Sequence, residues 1–293
     1  MILSESARGW AMLKAGIVAT MLVIAGAIGM IMNDPKLGGM SISEVFSDPK
    51  AAQLAKAACG GDTSKVAALI AGGVDVNAKG RDGIVPMFYA LKCEQPAALE
   101  TLLKAGANPN YAGTDGIPGT YAAASYTDPI YLKLMLQYGG NPNLTSGNGD
   151  TALSEAFSIG QYTGRWDNFD LLLNSGVDVN KPIRKGGSGM AEYAAAVGHP
   201  SKAVQLLERG YNYNLEDLAD AIYGNSMNLV SARSPEPSRN NTEYKYLTIA
   251  AKMLEERGVD TEKIKHRVDE IDQRVGAGVR HDYSFEDYVP AKP

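Results

Sequence analysis

The chain has 293 residues, of which 45% are hydrophobic and 21% charged, with a formal net charge of −5. That balance belongs to a folded protein, and the length admits one large domain or a repeat array. Mild acidity gives no electrostatic footprint for nucleic acid, which usually needs a basic face, and the two cysteines and three histidines (His199, His266, His281) show no metal-ligand spacing.

Residues 1–14 carry Arg8 and Lys14, and residues 15–32 (AGIVATMLVIAGAIGMIM) carry no charge. Eighteen apolar residues lie at the lower end of what spans a bilayer. Positive charge before the run keeps residues 1–14 in the cytoplasm and sends the rest across. The expectation is a single-pass anchor in a bacterial inner membrane with the C-terminal part in the periplasm. The bacterial assignment rests on the short anchor and plain composition. Ala25-Gly26-Ala27 offers the alternative, a signal cleaved after Ala27 that leaves a soluble periplasmic chain. Against it, the apolar run continues through Ile28, Met30, Ile31 and Met32. A buried soluble helix is the third reading. Residues 33–47 read as a linker.

From residue 48 the chain repeats. The segments 69–77 (LIAGGVDVN), 102–110 (LLKAGANPN), 135–143 (MLQYGGNPN), 172–180 (LLNSGVDVN) and 206–214 (LLERGYNYN) share one pattern. Each has an apolar pair, a spacer, a glycine and an asparagine four residues later. The glycines Gly73, Gly106, Gly139, Gly176 and Gly210 are 33, 33, 37 and 34 residues apart. A weaker copy, 253–261, places Gly258 48 residues after Gly210. Leu102 and Leu103 end an apolar helix face, and Gly106 follows where a helix end needs positive φ. Asn and Asp then favour turns through local hydrogen bonds. New helices are expected after Asp82-Gly83, Asp115-Gly116 and Gly149-Asp150. Two such helices bury their apolar faces only by stacking on neighbours.

This unit resembles the ankyrin repeat. Asp82-Gly83-Ile84-Val85-Pro86-Met87-Phe88-Tyr89-Ala90 and Asp150-Thr151-Ala152-Leu153 match the start of that motif, Gly198-His199-Pro200 its middle, and the five glycine-asparagine segments its end. The resemblance covers residues 48–262. It implies an all-α fold, an ankyrin-repeat solenoid of helix-turn-helix units with β-turn tips. The family's Thr-Pro pair is mostly missing, and Phe88, Tyr121, Ser154 and Glu192 stand where its histidine would be. The fourth repeat carries about four extra residues near 158–167 (SIGQYTGRWD), and the sixth is interrupted at 225–245, where Ser234-Pro235-Glu236-Pro237-Ser238 has linker composition. In 263–293, Ile264, Val268, Ile271 and Val275 recur at helical spacing and predict a capping helix, followed by a tail.

No nucleophile elbow, phosphate loop, dinucleotide fingerprint or zinc-protease motif occurs in the sequence. Gly147-Asn148-Gly149-Asp150 lacks the carboxylates of a calcium loop and reads as a turn. Asp217 and Asp220 read as solvated acids, and Gly187-Ser188-Gly189 as a turn. The expectation is no enzyme, no cofactor, no metal and no small-molecule substrate. Cys59 and Cys93 fall near the ends of the first helices of adjacent repeats. A disulfide between them is one reading, provided that the Cα atoms approach within about 7 Å. Two small buried residues are the other.

The ankyrin resemblance implies that partners contact the turn tips and the exposed side of the first helices. The tips are 78–83, 111–116, 144–150 and 181–188. Exposed aromatics and arginines favour Arg81, Tyr111, Tyr121, Tyr126, Trp166 and Arg184 as protein-binding residues. Asp82 and Asp115 are alternatively helix N-caps, Tyr126 is alternatively packed between helices, and Trp166 is alternatively a plug over the helix ends. The expected function is a non-enzymatic protein-binding module at the membrane. By architecture it resembles immunity proteins that neutralise a secreted antibacterial effector, such as a phospholipase. The alternative is a periplasmic scaffold for a stress-defence or envelope complex.

Overall fold

A computed structural model describes residues 35–184, 186–229 and 243–266. The expected cytoplasmic segment and anchor, the Ser-Pro-rich stretch and nearly all of the expected capping helix and tail lie outside the described residues. Among the described residues the protein is helical and has no β-strands, only isolated bridges. No helix there is long and apolar enough to cross a membrane. The chain divides into two compact units, Met1–Ala107 and Asn108–Pro293.

In the N-terminal unit, residues 35–47 do not behave as a linker. They contain α1 (Ile42–Val45), whose entry is closed by Glu44 accepting from the Ser41 backbone N–H at 2.7 Å. Ile42, Val45 and Phe46 pack against Ala51, Ala55 and Tyr89 and so cover the first repeat. Next come α2 (Pro49–Cys59), α3 (Thr63–Ala71), a 3-10 turn (Arg81–Gly83), α4 (Pro86–Lys92) and α5 (Pro96–Lys104). Asp48 accepts from Lys50 N at 2.9 Å and Asp62 from Lys65 N at 2.9 Å, which caps α2 and α3. Proline opens α2, α4 and α5, where its missing N–H costs nothing. The pairs α2–α3 and α4–α5 stack, α2 on α4 and α3 on α5. Leu54, Tyr89, Leu99 and Leu102 are fully buried between them.

The C-terminal unit continues the same alternation. Its helices are α6 (Gly119–Ala124), α7 (Ile130–Gln137), α8 (Ala152–Thr163), α9 (Asp167–Asn174), α10 (Met190–Ala196), α11 (Pro200–Glu208), α12 (Leu215–Leu229) and α13 (Glu243–Glu255). Residues 262–266 are also helical. First helices stack on first helices, α6 on α8 and α10 on α12, and second helices likewise, α7 on α9 and α11 on α13. The interruption expected at 225–245 is helical at both edges, because α12 runs to Leu229 and α13 starts at Glu243.

The repeated glycine and asparagine have separate physical roles. The six repeat glycines follow second helices at φ between 75° and 92°. A Cβ on Gly106 or Gly176 would meet nothing within 4 Å, so backbone angle alone requires glycine there. The asparagine four residues on reaches the next repeat. Asn110 Nδ2 donates to Gly139 O at 2.9 Å, and its Oδ1 accepts from Asn141 N at 2.7 Å. Asn143 brackets Gly176 O and Asp178 N, and Asn180 brackets Gly210 O and Asn212 N, at 2.6–3.4 Å. In the N-terminal unit Asn77 Nδ2 donates to Gly106 O at 2.9 Å. The residue two before each asparagine makes the local turn: Asp75, Asn108, Asn141 and Asp178 accept from the backbone N–H of Asn77, Asn110, Asn143 and Asn180. Asparagine suits the bracket because it alone of the small side chains both donates and accepts in one plane.

Asn180→Ala removes two cross-repeat hydrogen bonds and is expected to lower the unfolding free energy by about 2 kcal/mol. Urea unfolding followed by circular dichroism measures it. Gln53→Ala, at an exposed position on α2, serves as the control and is expected to stay within about 0.5 kcal/mol.

Candidate functional site

The first helices hold the tips at their N-terminal ends, and in the C-terminal unit the order of packing brings successive tips side by side. In the N-terminal unit the 78–83 tip is a 3-10 turn that places Asp82 at φ 56°. Arg81 is exposed there and its Nη1 lies 3.8 Å from Met40 Sδ. Gly80 is pressed against Val45 and Phe46, where a Cβ would come within 2.6 Å of Val45 Cγ1. The segment before α2 therefore already covers part of this tip.

In the C-terminal unit the 111–116 tip is closed by Gly119 N donating to Tyr111 O at 3.0 Å, with Tyr111 half-buried. Asp115 accepts from Ile117 N at 3.0 Å, so it shapes the turn rather than capping α6. Gly116 abuts Gly147 of the next tip, with room for no side chain between them. The 144–150 tip closes by Ser146 N donating to Asp150 O at 2.9 Å. Arg184 in the 181–188 tip reaches back to Asp150, with Nη2 3.1 Å from Oδ1, while its side chain stays 68% exposed. Lys181 Nζ donates to Asn143 O at 2.9 Å. Tyr211, fully buried, lies against Gly189 behind this tip, and Tyr213 Oη donates to Gly187 O at 3.4 Å.

Tyr121 stands at the start of α6 and its Oη donates to Glu155 Oε2 of α8 at 3.2 Å. Burial, then the Glu155 carboxylate, pushes the phenol up to about 12, so it remains a donor. The structure thus gathers Tyr121, Glu155, Asp150 and Arg184 on the tip side of α6 and α8. Two carboxylates, one guanidinium and a neutral phenol offer hydrogen bonds of both polarities to a partner's polar surface. Among the described residues no group of His, Cys, Asp and Glu could hold a metal ion.

Tyr126 and Trp166 are placed at the opposite ends of their helices. Tyr126 follows α6 and its ring packs 4.8 Å from that of Tyr131. Trp166 follows α8 and folds back over Gly160, whose missing side chain is the space its ring occupies. Its ring lies 5.3 Å from Phe157, 5.9 Å from Phe169 and 5.1 Å from His199, with Lys202 Nζ 4.6 Å from its centroid. It closes the helix ends. Beside it, buried Asn168 donates to Ala124 O at 3.2 Å and Tyr126 O at 2.6 Å, tying that turn to the previous repeat.

Sequence reasoning overlooked Glu155 and Asp150, whose role depends on neighbours in other repeats. It also overlooked Tyr162, which is 95% exposed. The four-residue excess was the available signal: α8 has 12 residues where α6 has 6 and α10 has 7. Cys59 and Cys93 form a disulfide with Cα atoms 5.1 Å apart.

A raised phenol destabilises the fold in alkali. Below pH 10 Tyr121 is protonated in both folded and unfolded chains, and its contribution is complete. Between pH 10 and about 12 the unfolded chain loses the proton first, and the contribution disappears. Ultraviolet difference titration of the protein against Tyr121→Phe is expected to isolate one phenol titrating near 12, and Glu155→Gln is expected to move it back toward 10. No family model matches the chain, and no curated protein matches it in sequence.

Proposed function

We propose that the chain is an ankyrin-like repeat protein that binds another protein without catalysing a reaction. The observation that carries this reading is the run of neighbouring tips in the C-terminal unit, each fixed to the next repeat by an asparagine bracket. A rigid set of exposed polar and aromatic groups loses little entropy on binding. The helix pairs, the positive-φ glycine after each second helix and the glycine-asparagine register support the ankyrin resemblance.

On this reading residues 15–32 anchor the chain in a bacterial inner membrane and the repeats face the periplasm. The Cys59–Cys93 disulfide supports an oxidising compartment, where such bonds persist. The partner is a secreted antibacterial effector acting at the membrane, and the chain is its immunity protein. Tyr111, Tyr121 and Arg184 form the contact surface in the C-terminal unit, with Asp150 and Glu155 orienting the latter two.

Co-expression with the effector encoded beside the gene tests the reading. The full chain is expected to co-purify with that effector and to abolish its toxicity. Arg184→Glu reverses an exposed tip charge and is expected to weaken binding roughly tenfold or more. Lys50→Glu, exposed on α2, is expected to leave affinity unchanged. Failure of the neighbour to bind, with toxicity intact, contradicts the proposal.

A further inference from the structure

The N-terminal unit contains one helix that its surroundings hold weakly. In α3 only Val66 is buried, whereas the equivalent α5 buries Ala98, Leu99, Leu102 and Leu103. The first repeat is therefore short of the apolar burial that stabilises the second. Its first helix, α2, buries Ala51, Leu54, Ala55, Ala57 and Ala58 along its length and carries two further ties. Near its start, Ala51 and Ala55 lie in the cluster formed by Ile42, Val45, Phe46 and Tyr89. At its other end Cys59 is bonded to Cys93, the residue that closes α4. Gln95 packs over Gly61 beside the bond, and its Nε2 donates to Cys93 O at 2.8 Å. Beyond that point the chain turns through Gly60 and Gly61 into α3.

We propose that the Cys59–Cys93 disulfide is a redox lock on the first repeat. With the bond closed, α3 stays docked on α5. With it open, α3 detaches while α2, α4, α5 and the C-terminal unit keep their fold. The inference rests on burial and on the covalent tie, and stands whether or not the tips bind an effector.

Both sulfur-bearing residues are partly exposed, so an oxidoreductase or a small dithiol can reach the bond. A dithiol's thiolate attacks one cysteine sulfur, the Cys59–Cys93 bond breaks, and a mixed disulfide forms. The second thiol of the reductant displaces the attacked cysteine. Two electrons and two protons pass to the cysteines, which become thiols, and the reductant becomes a disulfide. Opening uncovers the apolar face of α5 that α3 covers, and a chaperone or protease can read that surface as a report of failed oxidation.

Hydrogen-exchange mass spectrometry on the oxidised full chain tests the lock, with dithiothreitol as the probe. Reduction is expected to speed exchange in residues 60–71 on the order of a hundredfold, while peptides from α8 to α11 are unchanged. A Cys59→Ala, Cys93→Ala variant is expected to exchange fast in the same residues and to ignore dithiothreitol. The reduction experiment starts from the folded wild-type chain, so it decides the question even if the variant does not fold. Unchanged exchange in 60–71 after alkylation proves both thiols free overturns the lock. So does equal acceleration in both units.

Discussion

An asparagine side chain at successive repeat boundaries of the C-terminal unit sets the register on which the tips depend. Asn110, Asn143 and Asn180 each donate to a glycine carbonyl and accept from a backbone N–H in the following repeat. Both contacts go to backbone atoms, so they fix loop against loop whatever side chains the loops carry. The glycine whose carbonyl is captured is also the one that needs positive φ. The turn that ends one helix therefore doubles as the acceptor for the previous repeat.

Apolar packing between helices is less directional, and the chain adds polar and aromatic ties where neighbouring repeats would otherwise slide. Asn168 performs at the far ends of the helices what the tip asparagines do near the turns. Trp166 covers the end of the lengthened α8 by filling the space above Gly160 and sits under Lys202. The extra turn of α8 is thus clamped from one side, which leaves Tyr162 presented to solvent on the other. At the N-terminal end, α1 covers the first repeat, and the Cys59–Cys93 bond ties it to the second where burial is thin.

Much of this was legible in the sequence. The 33–37 residue spacing of Gly73, Gly106, Gly139, Gly176 and Gly210 located the helix ends, because a positive-φ requirement is local and glycine meets it at the least cost. The asparagines were legible as turn residues only, since their partners lie about 30 residues away and no single-repeat argument reaches them. Residues 33–47 read as a linker because a four-residue helix, Ile42–Val45, has too few positions to show periodicity. Trp166 could be read as knob or plug, and its packing over Gly160 was hidden because that glycine looks in sequence like an ordinary weak point in a helix. Tyr126 and Tyr121 are equally aromatic and equally near a turn in sequence, yet opposite ends of α6 separate them. Paired groups such as Tyr121–Glu155 and Arg184–Asp150 span different repeats, and their partnership follows from stacking order alone.

The central functional claim is that the ordered tips, rather than the second-helix surfaces, meet a protein partner. Hydrogen-exchange footprinting of the full chain with the effector proposed as its partner measures this directly. The account predicts protection concentrated at 111–116, 144–150 and 181–188, with the exposed faces of α7, α9 and α11 unchanged. Protection confined to those second-helix faces, or none at saturating effector, would contradict it.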